Sequence, residues 1–178
     1  MKKTVSIVLI LALLMGMAAL AEPYVLHESD KFTVTAEAPE NYDFILAGYG
    51  DFTGGLFAPD DAAKPYYTLL IAYSEEYADT FGKDSTLNDL TPEQLIRATM
   101  ELTSQYSKPE VTTATTDFGT LCIIVNEQGS ESEYASILTI YHGYFIEVYI
   151  DMLNGEQLSE EDIQKGLDIM SSLELTEK

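Results

Sequence analysis

Two histidines and one cysteine are the chain's whole stock of imidazole and thiol chemistry. His27 stands near the start and His142 lies in Tyr141-His-Gly-Tyr144, with no Gly-x-Ser-x-Gly elbow anywhere. A nucleophile activated by a histidine base therefore has little to draw on. A structural zinc site needs four nitrogen or sulfur ligands, which three such residues cannot supply. Cys122, in Thr120-Leu-Cys-Ile-Ile-Val-Asn126, sits among strand-forming neighbours and reads as a small buried hydrophobe; with no second cysteine it forms no intramolecular disulfide. Gly48, Gly50, Gly54 and Gly55 precede no Gly-Lys-Ser/Thr, and Asp51, Asp60 and Asp61 beside them repel phosphate. Calcium favours acids and carbonyls, but no regularly spaced Asp-x-Asp-x-Asp-Gly loop is present. Asp60-Asp61 and Glu160-Glu161-Asp162 read as solvated or helix-dipole residues. No catalytic set, metal site or cofactor is assigned, and the expectation is a protein that is not an enzyme.

The residues best suited to binding are aromatic. From Gly48 to Pro65 the chain intersperses Tyr49, Phe52 and Phe57 among glycines, as a short hairpin with generous turns or as an exposed loop. Long loops carrying aromatics are where binding tends to reside, so Tyr49, Phe52 and Phe57 are the expected partner-binding surface; the competing reading folds them over the open end of a sheet. Most of the twelve tyrosines lie in expected strands and need only sheet packing to explain them.

Lys2 and Lys3 precede an apolar run from Val5 to Ala18 that ends in Ala19-Leu20-Ala21, the pattern of a secretory signal peptide cleaved after Ala21. Residues 1–21 are thus expected to be removed and 22–178 to form one exported domain, with no membrane insertion after cleavage; an uncleaved anchor is the alternative. The leader carries two of the nine basic residues and no acid, so the remaining charge is 7 − 30 = −23. Such an acidic surface excludes nucleic acid and anionic membrane as partners, because each phosphate contact needs a cation.

Tyr134 to Asp151 reads as one hairpin turning at His142-Gly143, where positive φ is required and glycine supplies it. Pairing Tyr141 with Tyr144 puts Ala135, Ile137, Thr139, Ile146, Val148 and Ile150 on a core face. The other face carries Leu138, Ile140 and Phe145 near the turn, and Ser136, Glu147, Tyr149 and Asp151 away from it; something must cover the apolar end. Strands are expected at 31–36, 42–47, 66–73 (buried on both faces), 111–116 and 120–126, with Glu22 to Asp30 as an extended entry. Glu127 to Glu133 reads as a polar loop. A short helix follows Ser74 as its cap and stops before Gly82. A second starts at Thr91, with Gln94 completing a capping box, Pro92 in the first turn, Leu90 and Leu95 as a staple, and Leu95, Ile96, Thr99, Leu102 and Tyr106 as one stripe. A third starts after Ser159, boxed by Asp162 and stapled by Leu158 and Ile163, with Gly166 allowing close approach to the sheet; a short strand through Leu173 and Leu175 ends the chain.

Phe32-Thr-Val-Thr followed by Pro39-x-x-Tyr42, the tyrosine-rich hairpin, and the closing Leu158-Ser-x-Glu-Asp-Ile helix leading to Ser171-Ser-Leu-Glu-Leu175 resemble the PsbP-like family. That resemblance implies an α/β/α sandwich and a non-catalytic accessory or binding role. The expected fold is therefore α+β, a mainly antiparallel sheet with helices packed on its faces. The expected function is that of a secreted binding or accessory protein for an unknown protein or small ligand. A calcium-dependent surface or wall protein is the alternative, and a hydrolase the third reading.

Overall fold

The computed structural model describes residues 23–30, 32–49, 52–73, 75–104, 106–127 and 134–178, with side chains at all of these except Phe32, Ala47, Tyr49, Phe52, Glu76, Tyr77, Glu101, Leu102 and Glu177. The expected leader, the Ser74 cap and most of the Glu127 to Glu133 loop lie outside them. The fold is α+β and mostly antiparallel sheet.

The described residues form ten strands: β1 Tyr24–Glu28, β2 Phe32–Ala36, β3 Tyr42–Tyr49, β4 Phe52–Pro59, β5 Tyr66–Tyr73, β6 Pro109–Thr115, β7 Leu121–Glu127, β8 Tyr134–Tyr141, β9 Tyr144–Asp151 and β10 Glu174–Glu177. The helices are α1 Glu75–Phe81, α2 Pro92–Thr103 and α3 Glu160–Ser171, with a 3-10 turn at Leu87–Asp89. Seven strands form one antiparallel sheet in the order β3-β4-β5-β9-β8-β7-β6. It is two meanders, β3 to β5 and β6 to β9, joined where β5 pairs with β9. A second sheet, β1-β2-β10, pairs the start of the described chain with its end.

The β8–β9 register pairs Tyr141 with Tyr144, as the turn dictates, and His142 and Gly143 both take positive φ, 50° and 77°. Following that parity across the ladders separates two faces. On the first, Ile137, Ile146, Val148 and Ile150 join Tyr67, Leu69, Ile71 and Phe57 under α3 and the small sheet, in one core with Met170, Ile169, Leu26 and Val34. Gly166 lets α3 lie close, since a Cβ there would stand 2.5 Å from Ile150 Cδ1. The Tyr67 hydroxyl donates to the Asp162 carbonyl at 3.1 Å and ties the helix start to β5.

On the second face Ile123, Val125, Leu138 and Ile140 pack with Phe81, Leu87, Ala98 and Tyr106. The apolar end of the hairpin is thus covered by α1, the 3-10 turn and α2. The capping chemistry sets where α2 and α3 begin. The Thr91 amide donates to Gln94 Oε1 at 2.9 Å and the Gln94 amide to Thr91 Oγ1 at 3.3 Å, while Ser159 and Asp162 exchange the equivalent pair at 2.9 and 3.2 Å. Leu90 and Leu95 both pack onto the second core, as a staple requires.

Two expectations are corrected. Ile96 is 60% exposed, and the small Ala98 faces the sheet in its place, which lets α2 approach β7. β5 is not buried on both faces: Tyr67, Leu69 and Ile71 are buried, whereas Tyr66, Thr68 and Leu70 are partly exposed, because the described helices cover the second face only over β7, β8 and the start of β9.

Candidate functional site

The glycine-rich stretch from Gly48 is a regular hairpin rather than a loop. β3 and β4 pair along their whole length, with Tyr49 opposite Phe52 at the turn. The glycines serve close approach: a Cβ on Gly55 would overlap the Phe44 ring, and one on Gly54 the Leu69 carbonyl. Phe44 therefore lies across β4, 5.2 Å from the Phe57 ring. Phe57 is 0% exposed and belongs to the core, so it offers no surface to a partner. The side chains of Tyr49 and Phe52 lie outside the described residues.

The other residues with chemical potential have structural roles. His27 lies over the first face, its Nδ1 2.8 Å from Thr53 Oγ1 and its ring 4.9 Å from Tyr144, and burial lowers its pKa. Cys122 is fully buried, which pushes its thiol pKa up, away from the reactive thiolate. Asp61 accepts from the Ala63 amide at 3.0 Å, an Asx turn, and Asp162 Oδ2 accepts from the Ser159 amide at 2.9 Å in the capping box of α3. Among the described residues no group of three His, Cys, Asp or Glu side chains is placed to hold a metal ion.

Where the helices stop covering the second face, a polar cluster occupies it. Glu147, at the middle of β9, is flanked in register by Leu138 of β8 and Leu70 of β5. Tyr149, next on the same face, is flanked by Ser136 and Thr68. Ser136 is 0% exposed and takes a hydrogen bond from the Tyr106 hydroxyl at 3.2 Å. Ser136 is also hydrogen-bonded to Glu147, a contact that favours the carboxylate; burial between two leucines outweighs it and raises the carboxyl pKa. The site thus holds a carboxyl at the edge of an apolar patch, oriented by a buried serine that a buried tyrosine holds in turn.

Aromatic rings wall this carboxyl. Tyr134 stacks on Tyr149 with centroids 6.0 Å apart and meets Tyr106 at 5.1 Å. Burial, with the nearby Asp151, Tyr134 and Glu147, pushes the Tyr149 phenol up to about 12, so it stays neutral and can donate. The arrangement can seat a flat apolar group against the rings and a hydrogen-bond donor or cation against the carboxylate. The hairpin parity already placed Ser136, Glu147, Tyr149 and Asp151 on one face. It gave no sign that the helices would leave that part open, nor that Tyr106 would reach across to Ser136.

No protein-family model matches the chain, and no curated protein matches it in sequence.

Proposed function

We propose that this protein is an exported, non-catalytic binding or accessory protein whose ligand lies on the uncovered part of the second sheet face, against Glu147 and its tyrosines. The observation that carries this reading is Glu147 itself: a carboxyl raised in pKa by burial, hydrogen-bonded to a buried serine, and still partly exposed beside stacked rings. Such a group gains most from a ligand that brings a donor or a positive charge, because the ligand relieves the desolvation that the fold imposes. An acidic surface steers the same class of ligand towards it.

Catalysis by paired carboxyls is disfavoured by spacing. Asp151 is the acid nearest Glu147 on its own strand and face, four residues on, hence roughly 13 Å away. Glycoside hydrolysis uses pairs about 5 to 9.5 Å apart. The helices on opposite faces of an antiparallel sheet support the PsbP-like sandwich as the finer description of the fold. Export rests on the residue pattern of 1–21.

Carbon-13 NMR of the glutamate carboxyls during titration with benzylamine, and separately with benzyl alcohol, tests the site. The amine should move the Glu147 resonance and lose its effect in Glu147→Gln, and the alcohol should act weakly on both. Equal shifts by amine and alcohol, or an amine response undiminished in Glu147→Gln, would remove the basis for the proposal. Export is checked separately by intact mass of the protein from culture supernatant, expected to begin at Glu22.

A further inference from the structure

Among the described residues the two sheets end in four edge strands, and three carry a device that blocks pairing with another chain. β6 opens with Pro109 and Glu110 and continues with threonines at 112, 113 and 115. β1 has a register shift between Val25 and His27. β10 is four residues long and has Glu174 and Glu177 at its ends. The fourth edge, β3, is eight residues long, Tyr-Asp-Phe-Ile-Leu-Ala-Gly-Tyr, pairs with β4 without a bulge, includes no proline and no lysine, and carries a single charge, Asp43, near its start. At its midpoint Ile45 and Leu46 point to opposite faces and are 53% and 66% exposed. Tyr24, 40% exposed, packs at a tilt on Phe44 with centroids 4.3 Å apart, and Val25 beside it is 54% exposed, so the small sheet continues the apolar surface.

We propose that the β3 edge binds β3 of a second copy of this chain, antiparallel about a two-fold axis through Ile45, joining the two seven-stranded sheets into one. A two-fold that pairs antiparallel edges keeps like faces together, so paired residue numbers must have the same parity. Centred on Ile45, the pairing sets Ile45 against the partner's Ile45, and Phe44 against the partner's Leu46. The exposed Ile45 then meets its own copy, and the exposed Leu46 lies beside the partner's Phe44, whose ring folds back over β4; an axis through Leu46 would instead leave Phe44 opposite a glycine. The strand's one charge, Asp43, faces the partner's Ala47 and lies away from the partner's Asp43. In a chain of net charge −21, this register lets the two edges meet without opposing acids.

Area limits the strength of the contact. Eight residues span roughly 27 Å, and a sheet with its side chains is on the order of 10 Å thick, so each copy buries on the order of 300 Å² along the strand. Stable complexes bury about 800 Å² per partner. Tyr24 and Val25 extend the contact without closing that gap, and the dimer is accordingly reversible and concentration-dependent. Like charge on the two copies makes it stronger, not weaker, in salt.

Sedimentation equilibrium of the purified protein, from micromolar to millimolar concentration and at low and high sodium chloride, tests this. The expected result is a mass rising from monomer towards dimer with concentration, the rise shifted at least several-fold to lower concentration by salt. Ile45→Lys and Leu46→Lys should hold the protein at monomer mass with circular dichroism unchanged, since both positions are exposed; Ile45→Thr, which keeps strand propensity, covers the case of a lysine variant that misfolds. Ile45→Cys should cross-link across the axis on oxidation, while Val111→Cys on the β6 edge should not. A monomer throughout, association weakened by salt, or association undiminished in Ile45→Lys and Ile45→Thr would each overturn the proposal; the last would point to the exposed Ile96 and Met100 on α2 instead.

Discussion

Gly166 and Ile150 stand in direct contact across the interface of α3 and β9, with no room between them for one methyl group. Helix propensity favours alanine over glycine by about 1 kcal/mol, whereas overpacking a core costs roughly 1 to 3 kcal/mol. Ile150 and Ile137 are both 0% exposed and cannot swing aside into solvent, so packing outweighs propensity. Gly166→Ala should lower stability by about 1 kcal/mol in urea denaturation, and Gly166→Val by more. A stabilised Gly166→Ala would mean that α3 rides higher on the sheet.

The His142-Gly143 turn separates two effects that a sequence alone conflates. His142 at φ 50° is a residue that asparagine replaces well, so His142→Asn should keep or slightly raise the melting temperature. Gly143 combines φ 77° with a neighbouring wall: a Cβ would stand 3.0 Å from the Lys83 carbonyl. Gly143→Val should therefore cost on the order of 1 to 3 kcal/mol from backbone strain, with the clash added to it. Equal melting temperatures for Gly143→Val and wild type would contradict both causes.

Phe57, although it stands among glycines, is expected to behave as a core residue. Truncation of a fully buried phenylalanine costs about 3 to 5 kcal/mol, so Phe57→Ala should strongly lower the urea midpoint or abolish folding. A loss below about 1 kcal/mol would restore the exposed-loop reading of this stretch.

Glu147 supplies a pH dependence of known sign. Its pKa is raised in the fold, so the native state holds the proton more tightly than the unfolded chain. Its contribution is fully favourable below the ordinary carboxylate pKa and is lost as pH rises through the raised native value. Relative to Glu147→Gln, the wild type should be less stable at neutral pH, and the difference should vanish on acidification. Glu28 and Asp89 are shifted the other way, by Lys178 and by Thr86, and are common to both proteins, so the paired comparison isolates residue 147. Melting curves from pH 4 to 8 give the answer; a gap that is constant with pH would mean that Glu147 titrates normally.

The parts of this fold that were legible from the sequence are those whose signal is local. The boxes at Thr91/Gln94 and Ser159/Asp162, the register of the β8–β9 hairpin and the small residue at 166 each depend on residues within a few positions of one another. Ile96 misled because it stands three residues before Thr99 and so widens the apparent stripe, although it lies about 100° round the helix from Leu95; only the narrow contact with β7 shows that Ala98 suffices. The small sheet was half hidden: β1 and β2 are neighbours in sequence, but β10 reaches β2 from the other end of the described chain, which no local pattern shows. The site was half legible: alternation placed Glu147 and Tyr149 together, while their exposure depends on how far α2 extends over the sheet, which no local pattern encodes.

The seam between β5 and β9 bears on how quickly the native state is reached. Each meander is built from neighbours in sequence, but the nearest pair across the seam, Tyr73 with Tyr144, is 144 − 73 = 71 residues apart. Closing so long a loop brings its entropy cost before the reward of pairing, so zipping the two meanders together is the step expected to limit refolding. β10, which can dock only on an assembled β2, then adds its contacts after the barrier. In stopped-flow refolding Ile71→Val should mainly slow the folding limb, whereas Leu175→Ala should mainly speed unfolding. The reverse pattern would mean that the chain's two ends meet first and the large sheet grows from them.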